Sequence, residues 1–273
     1  MIEKPYPSLE NLLALIGDAG QRMSEIDACE GAAGNISVCV RWELDVRPLF
    51  PLEEKITLPQ QVPELAGATI IVSGSGRRLR EIADQPTANL ACLVVDQGGA
   101  TAAQFTAPQR SFKPVTSEFN SHLAVHSDRV LATATNFHAI IHAQPPYLTF
   151  LSHIPRYRDE HYLNTHLLRW QPEAVINLPE GIGFAPFKLP GSADLLAMNV
   201  TKLRSHRIVV WAKHGVMACS NTSVQRAADR IEYAEASARY EYLNVSAGEI
   251  AEGLGAEEIR AICAAFHVKQ DYF

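Results

Sequence analysis

Apolar side chains in this chain recur first at helical and then at strand spacing. Over residues 8–23 they fall at Leu9, Leu12, Leu13, Leu15, Ile16 and Met23, which places them on one face of a helix. Ser8 stands where it can cap the first turn. Gly31 and Gly34 precede the run Asn35-Ile36-Ser37-Val38-Cys39-Val40, so a tight turn feeding a strand is expected there. Residues 42–58 are interrupted by proline and mixed in charge, and read as an excursion or hairpin. Residues 68–73 and 90–96 read as strands closed by Ser73-Gly74-Ser75-Gly76 and Gln97-Gly98-Gly99. Residues 117–127 follow the step Thr116-Ser117-Glu118 and predict a helix with a capped, donor-rich N-terminus. A strand follows over 139–144, then short apolar segments at 147–151, 173–178, 182–187 and 208–217. Residues 193–203 and 224–243 return to helical periodicity. Strands and helices interleave with no linker rich in proline, serine or charge, so residues 1–273 read as a single three-layer α/β/α domain.

Composition narrows the function classes. With 47% hydrophobic and 20% charged residues and no low-complexity tract, the chain falls outside disordered and fibrous classes. A net charge of −6 leaves no general positive field for nucleic acid or an anionic bilayer, so neither is expected as a partner and any phosphate must be caught by local donors. No apolar run approaches the roughly 20 residues that span a membrane. Glu3, Glu10, Pro5 and Pro7 lie where a signal peptide carries basic and then apolar residues, and a cytoplasmic protein is expected. The five cysteines form no CxxC pair and read as small buried hydrophobes.

Candidate chemistry gathers at the strand ends. Gly34-Asn35 and Ser73-Gly74-Ser75-Gly76 offer amide N–H groups, hydroxyls and a side-chain amide to an anion. Thr116-Ser117-Glu118 adds further donors beside a carboxylate. Taken singly these are ordinary turns and a helix cap. Among ten histidines, His142 ends an apolar strand and His214 lies in Trp211-Ala212-Lys213-His214-Gly215. Two such histidines and one acid can hold a metal with an open coordination position. On a strand, His142 and Gln144 share a face. The other histidines, including His122, His126, His161 and His166, read as surface or structural residues.

Taken in order, these motifs resemble the class II aldolase/adducin family. Asp84-Gln85-Pro86-Thr87-Ala88-Asn89-Leu90 and Leu178-Pro179-Glu180-Gly181-Ile182-Gly183 extend the likeness over almost the whole chain. The resemblance implies a central mixed, largely antiparallel sheet and a divalent metal, zinc before manganese or magnesium. It implies reversible cleavage of a ketose phosphate, rhamnulose 1-phosphate or an analogue, to dihydroxyacetone phosphate and an aldehyde. It also implies a homotetramer with active sites between subunits. By match to the family's motif, Glu118 is a metal ligand and catalytic base, and His142 and His214 are metal ligands. Gly34, Asn35, Ser75, Gly76, Thr116 and Ser117 fall at the phosphate site. Glu173 falls where a neighbouring subunit's acid exchanges a proton with the aldehyde oxygen.

Two positions depart from the family pattern. His142-Ala143-Gln144 stands where the family carries His-x-His, and an amide is a poorer zinc partner than imidazole. Weakened metal binding is therefore the first expectation, ahead of a harder ion held by the Gln144 carbonyl oxygen or of His138 joining from the same strand face. Ala32 stands in place of an asparagine near the substrate's phosphate end. The alternatives are a sugar-phosphate 4-epimerase and a non-catalytic adducin-like assembly module.

Overall fold

The computed structural model describes residues 1–273. Helix α1 (Leu9–Glu25) leads into strands β1 (Asn35–Val40), β2 (Leu52–Thr57) and β3 (Thr69–Ser73). A single turn, α2 (Pro86–Asn89), precedes β4 (Leu90–Val95) and β5 (Thr101–Thr106). Then come α3 (Phe119–Thr133), β6 (Phe137–Ala143), α4 (Pro146–Leu151), α5 (Glu160–Leu167), α6 (Pro172–Asn177), β7 (Gly183–Ala185) and α7 (Ala193–Ser205). The hairpin β8 (Ile208–Trp211) and β9 (Gly215–Ser220), with α8 (Val224–Ser246) and α9 (Ala256–Phe266), completes the chain.

The nine strands form one sheet in the order β2-β5-β4-β3-β1-β6-β9-β8-β7. Every pairing is antiparallel except β7 with β8, so the sheet is mixed and largely antiparallel, as expected. Helices cover both faces. On one, α1, α4, α5, α6 and α8 bury the larger core, with Ile16, Ile36, Ile141 and Ile231 inside it. On the other, α3 closes over Ile70, Val72 and Leu93, and α7 packs near Ile140 and Trp211. Central strands covered on both sides read as continuous apolar runs, and β1 and β6 are buried at every residue. The polar members of those two strands, Asn35, Ser37, His138 and His142, are therefore the anomaly that marks the site.

Several local expectations change in the structure. Residues 42–58 form no hairpin of their own: β2 pairs with β5 at the sheet edge, and its exposed Glu53, Glu54 and Lys55 suit an edge that must not pair with other chains. The segments at 147–151 and 173–178 are short helices, each with proline in its first turn. The run 208–217 breaks into two strands at a three-residue loop in which Lys213 takes a positive φ of 64°. Helix α3 carries no side-chain cap; Glu118 occupies the cap position and turns its carboxylate into the site. Helix α9 has no counterpart in the sequence reading.

Candidate active site

The site lies where β1 begins and β3 and β6 end, beside the start of α3. Antiparallel register sets Asn35 directly opposite His142, and the bridge between Gly74 and Val115 ties the segment before α3 to the end of β3. Thr116 secures this junction twice, donating its N–H to the Ser73 carbonyl at 3.0 Å and accepting the Glu118 N–H at its hydroxyl at 3.3 Å. Gly34 makes the turn into β1 possible. Its φ is +85°, and a Cβ there would stand 2.9 Å from the His142 carbonyl oxygen, a contact only glycine avoids.

A cavity of about 170 Å³ opens at this junction. It is lined by Ala32, Gly34, Asn35, Gly74, Ser75, Gly76, Thr116, Ser117, Glu118, His142, Gln144 and His214. Every site residue expected from the sequence is thus brought together except Glu173, which is exposed on α6 and does not line the cavity of its own chain. No lysine or arginine lines it, so an anion here meets hydroxyls and amide N–H groups. Ser75 is half-buried and Ser117 is exposed, both open to a ligand. Asn35 is not free in the same way. Its Nδ2 donates to Glu118 Oε2 at 2.9 Å, and its Oδ1 accepts from His122 Nε2 at 2.5 Å.

Glu118, His142 and His214 offer ligand atoms that all lie within 4.8 Å of one another. His142 Nδ1 donates to the Val216 carbonyl at 2.8 Å, which fixes the tautomer and leaves a lone pair on Nε2. That nitrogen stands 3.5 Å from Glu118 Oε2, and His214 Nε2 stands 3.9 Å from Glu118 Oε1. Ligands of a tetrahedral ion with bonds of about 2.1 Å are separated by about 3.4 Å, so each histidine already stands close to that spacing from one Glu118 oxygen, and the three groups could converge on a divalent cation. Trp211 stacks on the His142 ring at 4.4 Å and holds its plane.

The electrostatics agree with this fit. Burial pushes the Glu118 carboxyl up, but the charge His142 carries when protonated, the Asn35 amide and the charge of protonated His214 together outweigh it and hold the group below the usual carboxylate range. Burial, reinforced by His142, lowers His214, so its imidazole favours the neutral form that binds metal. Gln144 is half-buried beside the triad. His138 is not: it lies at the far end of β6, bonded to His126, and adds nothing to the triad. His122 and His126 are fully buried, structural rather than surface residues. Their signal was in the sequence, since Glu118, His122 and His126 follow one another at intervals of four on a single helix face.

Comparison with known proteins accords with the site. Residues 14–242 match the family described as Class II Aldolase and Adducin N-terminal domain. A rhamnulose-1-phosphate aldolase of Bacteroides thetaiotaomicron is 28% identical over 242 residues, 88% of each chain. One from an Enterobacter species is 30% identical over 213 residues, 78% of this chain and 76% of its own. Among solved structures, a sugar-phosphate aldolase from Thermotoga maritima superposes with a TM-score of 0.74 at 25% identity, covering 88% of this chain and 97% of that one. The family match spans the whole sheet and every residue of the Glu118, His142 and His214 triad, and the chain belongs to the class II aldolase and adducin family.

Proposed function

We propose that this protein is a metal-dependent aldolase that cleaves a ketose 1-phosphate, rhamnulose 1-phosphate or a close analogue, to dihydroxyacetone phosphate and an aldehyde. The observation that carries this reading is the triad itself: one carboxylate and two imidazoles, that of His142 with its Nε2 lone pair directed by the Nδ1 bond to Val216, beside a cradle of neutral anion donors. A divalent ion held by Glu118, His142 and His214, with zinc the best match to two nitrogens and a carboxylate, supplies positive charge beside the substrate's carbonyl and hydroxyl oxygens. Ser75, Gly76, Thr116 and Ser117 anchor the phosphate and so fix the sugar's position against the triad. In cleavage the C4 hydroxyl loses its proton, the C3–C4 bond breaks to leave an aldehyde, and the three-carbon fragment takes a proton at C3. Glu118, the one carboxylate in the cavity, is the group placed to move the proton at C3: in cleavage it would take up a proton from solvent and pass it to C3, balancing the one the C4 hydroxyl gives up.

The proton leaving the C4 hydroxyl needs a second carboxylate to accept it, and Glu173 takes that part from a neighbouring subunit of a homotetramer. Two facts support this. Glu173 is exposed and outside its own chain's cavity, and a cavity of about 170 Å³ is smaller than the roughly 300–1,000 Å³ of ordinary ligand sites, as suits one finished by another subunit. The chain is one domain in this reading. No helix is long and apolar enough to cross a membrane.

The test is elemental analysis of protein purified without chelator, followed by cleavage assays with ketose phosphates. One divalent ion per chain and release of free aldehyde are expected, with Glu173→Ala lowering turnover while leaving the metal in place. Protein that stays metal-free in excess zinc and manganese would overturn the reading and leave an assembly module. Inversion at C4 without released aldehyde would make it an epimerase.

A further inference from the structure

The triad is backed by a buried polar string that the cleavage chemistry does not use. From Glu118 it passes through Asn35 to His122 Nε2 at 2.5 Å. It continues from His122 Nδ1 to Ser37 Oγ at 2.7 Å and from Ser37 Oγ to His126 Nε2 at 2.7 Å. It ends with His126 Nδ1 against His138 Nδ1 at 2.8 Å. Ser37, His122, His126 and His138 are each wholly buried. A match of periods makes the string possible. Four residues of α3 advance about 6 Å and two residues of β1 about 6.6 Å, so Glu118, His122 and His126 interleave with Asn35 and Ser37 like the teeth of a zip.

The donors in this string can point only one way. Asn35 gives its N–H to Glu118 Oε2, which leaves its carbonyl oxygen, an acceptor only, to His122. His122 must then carry its proton on Nε2 and accept at Nδ1 from the Ser37 hydroxyl. Ser37 accepts in turn from His126 Nε2–H, and His126 Nδ1 accepts from His138 Nδ1–H. Neutral imidazole, with one donor and one acceptor, allows no other assignment. The far end agrees: His138 Nε2 has no partner, and as a bare lone pair it lies in the positive field of Arg129, Arg207 and Arg230. The reverse direction would bury an unpaired N–H in that same field.

We propose that Ser37, His122, His126 and His138 are positioning residues, a one-way hydrogen-bond chain that locks the Asn35 amide with its N–H on Glu118 and so holds the carboxylate in register with His142 and His214. Burial keeps all three histidines neutral, His122 down to about 3 and His126 and His138 well below the ordinary histidine range.

Two measurements test the chain. The first needs neither variant nor activity: proton positions in the unaltered protein, from neutron diffraction or from nitrogen shifts of labelled histidine. Protons on Nε2 of His122 and His126 and on Nδ1 of His138 are expected; a proton on Nδ1 of either His122 or His126 overturns the proposal. The second uses Ser37→Ala, a change of one buried hydroxyl, and rests on the aldolase reading only for its kinetic arm. Removing an outer partner of a metal site costs about tenfold or more in metal affinity or turnover. Divalent-metal affinity and kcat are both expected to fall about tenfold with KM little changed, and Ser37→Thr, which keeps the hydroxyl, to recover most of the loss. A folded Ser37→Ala protein with unchanged metal affinity reduces the string to packing and sinks the proposal. Should the unaltered protein cleave no ketose phosphate, that failure belongs to the aldolase reading, and the proton positions still decide the chain.

Discussion

At Gln144 one side chain separates this protein from the His-x-His pattern of its family. Strand alternation puts residue 144 on the face of His142, and the structure places it at the rim of the same cavity. An imidazole there adds a nitrogen ligand where an amide now stands. Gln144→His is expected to tighten zinc binding by about tenfold or more, the scale of one well-placed group at a metal site, as measured by competition with a chromogenic chelator. Unchanged affinity would put residue 144 out of reach of the ion. The same scale shows what a sequence discloses about a site. Glu118, His142 and His214 were legible because they match ordered motifs. Asn35 was legible as a site residue, but its amide is committed to Glu118 and His122 and not held ready for a phosphate. That follows from α3 lying over β1, which no local pattern encodes.

Among the elements, the turn before β1 carries the tightest constraint. Gly31 and Gly34 both adopt positive φ, but a Cβ at Gly31 meets nothing within 4 Å, whereas one at Gly34 meets the His142 carbonyl. Gly31→Ala is expected to cost about 1 kcal/mol from left-handed backbone alone. Gly34→Ala adds displacement of the strand that bears His142, for a total of about 2–3 kcal/mol, with weaker metal binding besides if the proposed centre forms. Urea unfolding of both variants checks this, and equal losses would contradict the close contact. Element type followed from periodicity wherever a segment was amphipathic or wholly apolar, as in α1, β1, β3, β4, α7 and α8. It failed at β2, whose side chains are almost all exposed: an edge strand with no face to bury has no pattern to read.

For the whole molecule, the buried histidines set the response to acid. In the unfolded chain each binds a proton near pH 6.5, while the folded protein holds His122 to about 3 and His126 and His138 well below normal. The unfolded state therefore binds more protons below about pH 6.5, so the stability these groups contribute is full above that pH and is lost as pH falls toward 3. Glu235 acts in the opposite sense. Burial raises its carboxyl to about 7 against two backbone hydrogen bonds from Tyr147 and Leu148, so it removes stability as pH rises from 4.5 to 7. Three groups outweigh one, and stability is expected to fall by roughly 2–3 kcal/mol per pH unit between pH 6 and 5. Urea midpoints at pH 8, 7, 6 and 5 measure this; a flat profile from 7 to 5 would refute it.

By itself the sequence determined the α/β architecture, the strand ends that carry the site and the three side chains of the candidate metal centre, because period, turn chemistry and motif order are written along the chain. Only the tertiary structure decided the rest. It placed β2 at the sheet edge, set Glu173 outside its own chain's cavity, and joined residues 35, 37, 118, 122, 126 and 138 into one buried string. These depend on sheet order and on how a helix of 1.5 Å rise lies across a strand of about 3.3 Å rise. Distances between segments far apart in sequence are fixed by packing, and no window along the chain contains them.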